Sequence, residues 1–181
     1  MGLEHTKTAE NLQKALAGES IARNKYTFFA QVARDNGNED VAVAFEQMAK
    51  NEMMHAKFWF EQIFGKPTDT KECLMQSAQG EYMEWHDMYP DFARQAREDG
   101  LEDLAAMFEK VAAIERSHEK RFMTLLTKLG TPAEKAAATP EPMEKKEGYR
   151  CQFCGALFET RPDVCDTCGA IGSFEYAEYY V

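Results

Sequence analysis

The chain has 181 residues, 44% of them hydrophobic and 29% charged, with a formal net charge of -10 and a pI near 4.9. That length suits one ordinary domain with a small appendage. No stretch is apolar over the ~18 residues that a membrane span requires, the opening MGLEHTKTAENLQ has neither a basic nor an apolar region, and no basic stripe is present to neutralise phosphates. The reading is a cytoplasmic protein without signal peptide, membrane span or nucleic-acid partner.

From Thr8 to about Gly130 the chain is rich in Ala, Glu, Gln, Lys, Met and Leu, and its apolar residues recur at helical spacing. Breaks at Asn36-Gly37-Asn38, Gly65-Lys66-Pro67, Asp99-Gly100 and Gly130-Thr131-Pro132 divide it into four helices of roughly 25 residues. Short turns between them predict an antiparallel four-helix bundle over residues 1–130, with Gly65 to Lys71 as the place for a longer crossover.

Each helix has one apolar stripe, stepping by threes and fours. On the first it runs Leu12, Ala15, Glu19, Ala22, Tyr26, Phe29, Ala33; on the second Val41, Phe45, Met48, Glu52, His55, Trp59. The third has Leu74, Ala78, Glu81, Glu84 or Trp85, Met88, Phe92, and the fourth Leu104, Phe108, Val111, Glu115, His118, Phe122, Leu125. Glu and His stand where Leu or Phe is expected. Residues 131–147, TPAEKAAATPEPMEKKE, hold three prolines and nothing to bury, which predicts a linker with a reach of at most about 55 Å. Residues 148–181 then form a module too small for an apolar core of its own. It carries Cys151, Cys154, Cys165 and Cys168 as two C-x-x-C knuckles, the spacing of tetrahedral S4 metal ligation. Spacing alone leaves zinc and iron both open for that site. The fifth cysteine, Cys73, reads as a buried or inert thiol, His5 and His86 as surface residues, and Trp59 and Trp85 as packing.

Shifting the bundle by 63 residues superposes Gly37 on Gly100, Phe45 on Phe108, Glu52 on Glu115 and His55 on His118, and upstream Tyr26 on Tyr89 and Phe29 on Phe92. The bundle is thus two related helix pairs, and their interior collects five glutamates and two histidines. An unpaired buried carboxylate costs several kcal/mol, against a domain stability of about 5–15 kcal/mol. Lys and Arg mostly fall off the stripes. Two divalent cations resolve the conflict, bringing about four positive charges to five negative ones. A Glu from each of two helices with Glu-x-x-His from each of the others is the ligand set of ferritin-like dinuclear carboxylate proteins, and oxygen-rich ligation with two imidazoles suits iron or manganese.

Over essentially its whole length the sequence resembles the rubrerythrins. The motifs are AGESIARNKYTFF around Glu19, NEMMHAK around Glu52, GEYMEWHDMYPDFARQAREDG around Glu81 and Glu84, IERSHEKRF around Glu115, and the terminal four-cysteine module. The resemblance implies a ferritin-like all-α four-helix bundle followed by a rubredoxin-like module with short β-strands. It implies two non-haem irons held by Glu19, Glu52, Glu81, Glu84, Glu115 and His118, with His55 replacing Glu84 on reduction, and one iron on the four cysteines. Tyr26 and Tyr89 match positions that hydrogen-bond to the di-iron site. Asp166 departs from the family, which usually has proline after the third cysteine.

The implied activity is reduction of hydrogen peroxide to water in oxidative-stress defence. Glu84 or Glu52 relays protons, and the rubredoxin-like iron returns electrons that come ultimately from NAD(P)H through a rubredoxin or a separate reductase. The implied assembly is a head-to-tail homodimer in which one chain's cysteine site approaches the other's di-iron site. The competing readings are a ferroxidase or iron-storage protein of ferritin type, and a zinc-holding scaffold with no catalysis.

Overall fold

The computed structural model describes residues 5–130 and 144–180. Five α-helices and three strands follow in order: α1 (Lys7–Asp35), α2 (Glu39–Phe64), α3 (Thr70–Met83), α4 (Tyr89–Glu98), α5 (Glu102–Leu129), β1 (Lys145–Cys151), β2 (Leu157–Phe158) and β3 (Phe174–Tyr180). Between α3 and α4 a π-helical turn spans Glu84–Met88, so the third predicted helix runs through as α3, π turn and α4. The four helices of the ferritin-like class are all present, and the cysteine module adds a small sheet. Among the described residues no helix is long and apolar enough to cross a membrane.

The chain divides into two compact units, Met1–Thr68 and Asp69–Val181. The first is the α1–α2 hairpin; the second joins the α3–α4/α5 hairpin to the cysteine module. This boundary falls between the repeats, whereas the sequence reading places its boundary after residue 130. Most of the expected linker, residues 131–143, lies outside the described residues, and its last three residues belong to β1.

Local chemistry explains where the helices start and stop. Thr6 caps α1 by accepting from the Ala9 amide at 3.1 Å, and Asp69 caps α3 by accepting from the Glu72 amide at 2.7 Å. α1 ends in a glycine turn: Gly37 has φ 75°, its N–H donates to the Arg34 carbonyl, and the Asn38 N–H donates to the Ala33 carbonyl at 2.8 Å. The α4–α5 turn repeats this, with Gly100 at φ 76° and Leu101 N–H to the Ala96 carbonyl at 2.8 Å.

The repeat extends to side chains. Arg34 reaches Glu46 at 2.8 Å and Glu39 at 3.2 Å; Arg97, 63 positions on, reaches Glu109 at 2.8 Å and Glu102 at 3.5 Å. Phe29 sits edge-on to Phe45 at 5.6 Å, as Phe92 does to Phe108 at 5.6 Å. Within each hairpin the buried bundle residues are Ala30, Ala33, Ala42 and Ala49, or Ala78, Ala93, Ala96 and Ala105, with Ile114 as the one larger side chain. Alanines at the seam let two helices approach closely, but they leave the large apolar side chains of the stripes uncovered.

The sheet has strand order β2-β1-β3, both neighbours antiparallel to β1. Its core gathers Cys151, Ala156, Cys165 and Phe174 around Ile114 of α5. A module that cannot close its own core is therefore sealed by a helix of the same unit.

Candidate metal centres

Three clusters of ligand-type side chains form among the described residues: Cys151, Cys154, Cys165 and Cys168; Glu19, Glu52 and His55; Glu81, Glu115 and His118. In each, the potential donor atoms lie within 4.8 Å of one another.

The cysteine cluster is built from two matching knuckles. Gly155 N–H donates to the Cys151 carbonyl at 3.0 Å and Gly169 N–H to that of Cys165 at 2.9 Å. Both glycines have positive φ, 81° and 74°, the conformation that a knuckle needs to turn back under its metal. Sulfur atoms of Cys151 and Cys168 are 3.7 Å apart, and those of Cys154 and Cys165 3.6 Å. A disulfide would need about 2.05 Å; four thiolates around one metal with bonds of ~2.3 Å stand about 3.8 Å apart. The site fits a single tetrahedral ion. Burial opposes a charged Cys165, but amides of Cys168 and Thr167 and the thiols of Cys154 and Cys168 outweigh it and bring this thiol down to about 7. Burial pushes the Cys154 thiol up.

The carboxylate trios copy each other. His55 Nδ1 is 2.8 Å from Glu52 and 4.0 Å from Glu19; His118 Nδ1 is 2.7 Å from Glu115 and 3.7 Å from Glu81. Glu and His three residues apart on one helix supply the short contact, and the facing helix of the hairpin supplies the second Glu. Neither trio contains an arginine or lysine, and three such donors converging on a point suit a cation with bonds of ~2.1 Å. The Glu81 carboxyl is pushed up to about 7, first by burial, then by the hydrogen bond and charge of Glu115. Glu84 is raised by burial and by Glu115, with His118 pulling the other way, which puts it in the same electrostatic field. Tyr89 is raised by burial and then by Glu115, Glu84 and Glu81, while its ring lies 6.1 Å from Phe108. Tyr26 stacks on Phe45 at 6.0 Å.

The π turn places Glu84, and the sequence carries its trace. Gly18-Glu19 matches Gly80-Glu81, a shift of 62, whereas Tyr26 matches Tyr89, a shift of 63. Eight positions separate Glu81 from Tyr89 where seven separate Glu19 from Tyr26. The added residue is taken up as the π turn at Glu84–Met88. Trp85, read from sequence as packing, pins that turn by donating from Nε1 to Glu119 at 2.7 Å.

The two histidines differ in what lies behind them. A Cβ placed on Gly155 would stand 2.6 Å from His118 Nε2 and 3.3 Å from Ile114, so the first cysteine knuckle rests directly on the imidazole of its own chain, whereas the sequence reading sets the module against another chain. The His55 side chain is 49% exposed, that of His118 35%. Asp166, at the usual proline position, has its backbone carbonyl accepting from Lys110 Nζ at 3.0 Å and its carboxylate 3.6 Å from the same group; it ties the module to α5. Cys73 is exposed, which corrects the expectation of burial. His86 is exposed and bonded to Asp87 at 2.7 Å.

A family model described as Rubrerythrin matches residues 10–84 and 72–150. Rubrerythrin-1 of Clostridium acetobutylicum is 41% identical, covering 92% of this chain and 91% of its own. The rubrerythrin of Porphyromonas gingivalis is 34% identical (92% and 87%), and that of Nitratidesulfovibrio vulgaris 34% (92% and 91%). A solved structure of nigerythrin in a partially reduced state is 26% identical over 95% of this chain and 87% of that one, with TM-score 0.41. Family and ligand chemistry agree on the cofactors, a carboxylate-bridged pair of non-haem irons and one iron on four thiolates. The chain belongs to the rubrerythrin family of iron-binding oxidoreductases.

Proposed function

We propose that the protein reduces hydrogen peroxide to water in the cytoplasm as an oxidative-stress defence, fed with electrons through its cysteine site by a rubredoxin or an NAD(P)H-dependent reductase. The observation that carries this reading is the contact of Gly155 with His118. A thiolate iron site changes by one electron at a time, and it is useful only where it can hand electrons on. A ferroxidase whose product migrates to a mineral needs no such site against its ligand histidine.

In this reading Glu19, Glu52, Glu81, Glu84, Glu115 and His118 hold the irons of one site, and the cysteines hold the third iron. When bound, the iron pair supplies the two electrons that H2O2 accepts with two protons to give two waters. Glu52 and Glu84 deliver those protons from their carboxyl oxygens; burial and the neighbouring Glu115, which raise Glu84 above the ordinary carboxylate range, favour its protonated form. Tyr26 and Tyr89 orient the carboxylates through their hydroxyls. His118 turns Nδ1 toward Glu115, while the Gly155 knuckle packs on its Nε2 side. The more exposed His55 has room to swing, and it takes the place of Glu84 when the site is reduced.

Anaerobically reduced protein mixed with one equivalent of H2O2 should oxidise much faster than with O2; the reverse order would make it a ferroxidase. His55→Ala should preserve the absorption of the oxidised site and slow peroxide reduction. Equal loss of both would remove His55 from the mechanism.

A further inference from the structure

We infer that a cavity between α5 and the small sheet binds a phosphoryl oxyanion, either free inorganic phosphate or the phosphate end of a nucleotide. Arg121, Lys128 and Arg150 supply the charge, and the whole cavity lies within the second compact unit. The inference goes beyond the peroxide reading and does not depend on it.

The cavity measures about 280 Å3 and is lined by Arg121, Thr124 and Lys128 of α5, Arg150 of β1, and Glu178 and Tyr179 of β3. His118 is also on its wall, but none of the carboxylates or thiols of the metal centres is. Pockets that enclose drug-sized ligands measure about 300–1,000 Å3, so this one suits a small ion or one end of a longer molecule.

The balance of charge sets the cavity apart. The chain has 31 acidic against 21 basic residues, and Arg34, Arg94 and Arg97 each reach two carboxylates within 3.5 Å. Among the described residues Arg121 and Lys128 reach none. Arg150, whose side chain is 19% exposed, touches Glu175 through one nitrogen at 3.3 Å. The carboxylate on the wall, Glu178, is already held by Lys145 at 2.8 Å. Burial and then the charge of Arg121 work against the Arg150 cation, with Glu175 in its favour. An anion lodged beside both guanidinium groups removes that opposition.

The donors select the ligand. Ser117 Oγ donates to the Ile114 carbonyl at 2.7 Å and Thr124 Oγ1 to that of Lys120 at 2.8 Å, so these hydroxyl protons are spent inside the helix. The guanidinium and ammonium N–H groups are left. Arginine pairs with phosphoryl oxygens two at a time, and the bonds are charge-assisted. A carboxylate ligand brings one charge and two oxygens, fewer than the three cations can use.

Equilibrium dialysis tests it, with iron-loaded full-length protein and radiolabelled inorganic phosphate in about 0.1 M chloride, where exposed charges are screened beyond ~10 Å. Wild type should bind one saturable equivalent per chain that Arg121→Gln with Lys128→Gln weakens at least about tenfold, while the iron content of both sites stays at the wild-type level as a check on folding. Lys14→Gln with Lys50→Gln makes the same change of charge at exposed positions of the first unit and should bind like wild type. Three results overturn the inference: no saturable phosphate in wild type, an unchanged phosphate count in the Arg121 and Lys128 variant, as capture by carboxylate-site iron would give, or equal weakening by the two pairs. Adenosine monophosphate then separates the sources. If it displaces phosphate while binding more tightly, the occupant is a nucleotide; if it binds equally or more weakly, the occupant is the free ion.

Discussion

At the scale of single residues, the carboxylate trios bring negative groups together with no cation of the protein's own, and Glu81 records the strain. Its carboxyl stands at about 7 against an ordinary 4.5. Between those values the folded metal-free chain holds a proton that the unfolded chain has released, so its stability falls as pH rises through this window and levels off above it. Metal must displace the same proton, so iron affinity rises with pH up to about 7. The melting temperature of metal-free protein should therefore fall from pH 5 to pH 7.5, and Glu81→Gln should flatten the slope. Identical slopes would place the proton elsewhere. The residues that gather in the two trios were legible in the sequence because a Glu or His on an apolar stripe is a visible conflict. The contact of Asp166 with Lys110 was not legible, because 56 positions separate them and nothing local marks the pair.

At the scale of elements, the helices follow their apolar period, and their ends follow Thr6, Asp69, Gly37 and Gly100, all readable residue by residue. The π turn is the element that periodicity hides, since a single added residue is lost within any window wide enough to show a helix. Only the repeat betrays it, as the change of shift from 62 to 63 between Glu81 and Tyr89. That insertion rotates the helix by about 100° relative to its α1 counterpart, and Glu84 sits at its start. Deleting His86, an exposed residue inside the turn, should regularise the helix, keep the fold and misplace Glu84 against Tyr89 and Phe92. A shift of about 1 Å can cost about a hundredfold in rate, and peroxide turnover should fall on that order while cysteine-site iron is unchanged. His86→Ala keeps the chain length and should turn over like wild type. Full activity in the deletion would show that the π turn has no part in the reaction.

At the scale of the whole molecule, the proposed function depends on two metal sites of different chemistry being in electronic contact. Their ligand sets are separate in sequence, and no spacing rule reveals that Gly155 meets His118; the knuckle predicts only that a glycine with positive φ follows Cys154. Gly169 follows Cys168 in the same way, with φ 74°, but nothing lies within 4 Å of a Cβ built there. The two glycines separate backbone strain from contact. Alanine at either position costs ~1–2 kcal/mol for its left-handed backbone, and both variants should bind iron at both sites with similarly lowered melting temperatures. Only Gly155→Ala must also push the knuckle off His118 or turn the imidazole. Single-turnover reduction of the oxidised pair by the cysteine-site iron should slow in Gly155→Ala and keep its wild-type rate in Gly169→Ala. Equal rates in the two variants would mean that electrons take a path other than the knuckle, and would leave the ferroxidase reading in contention.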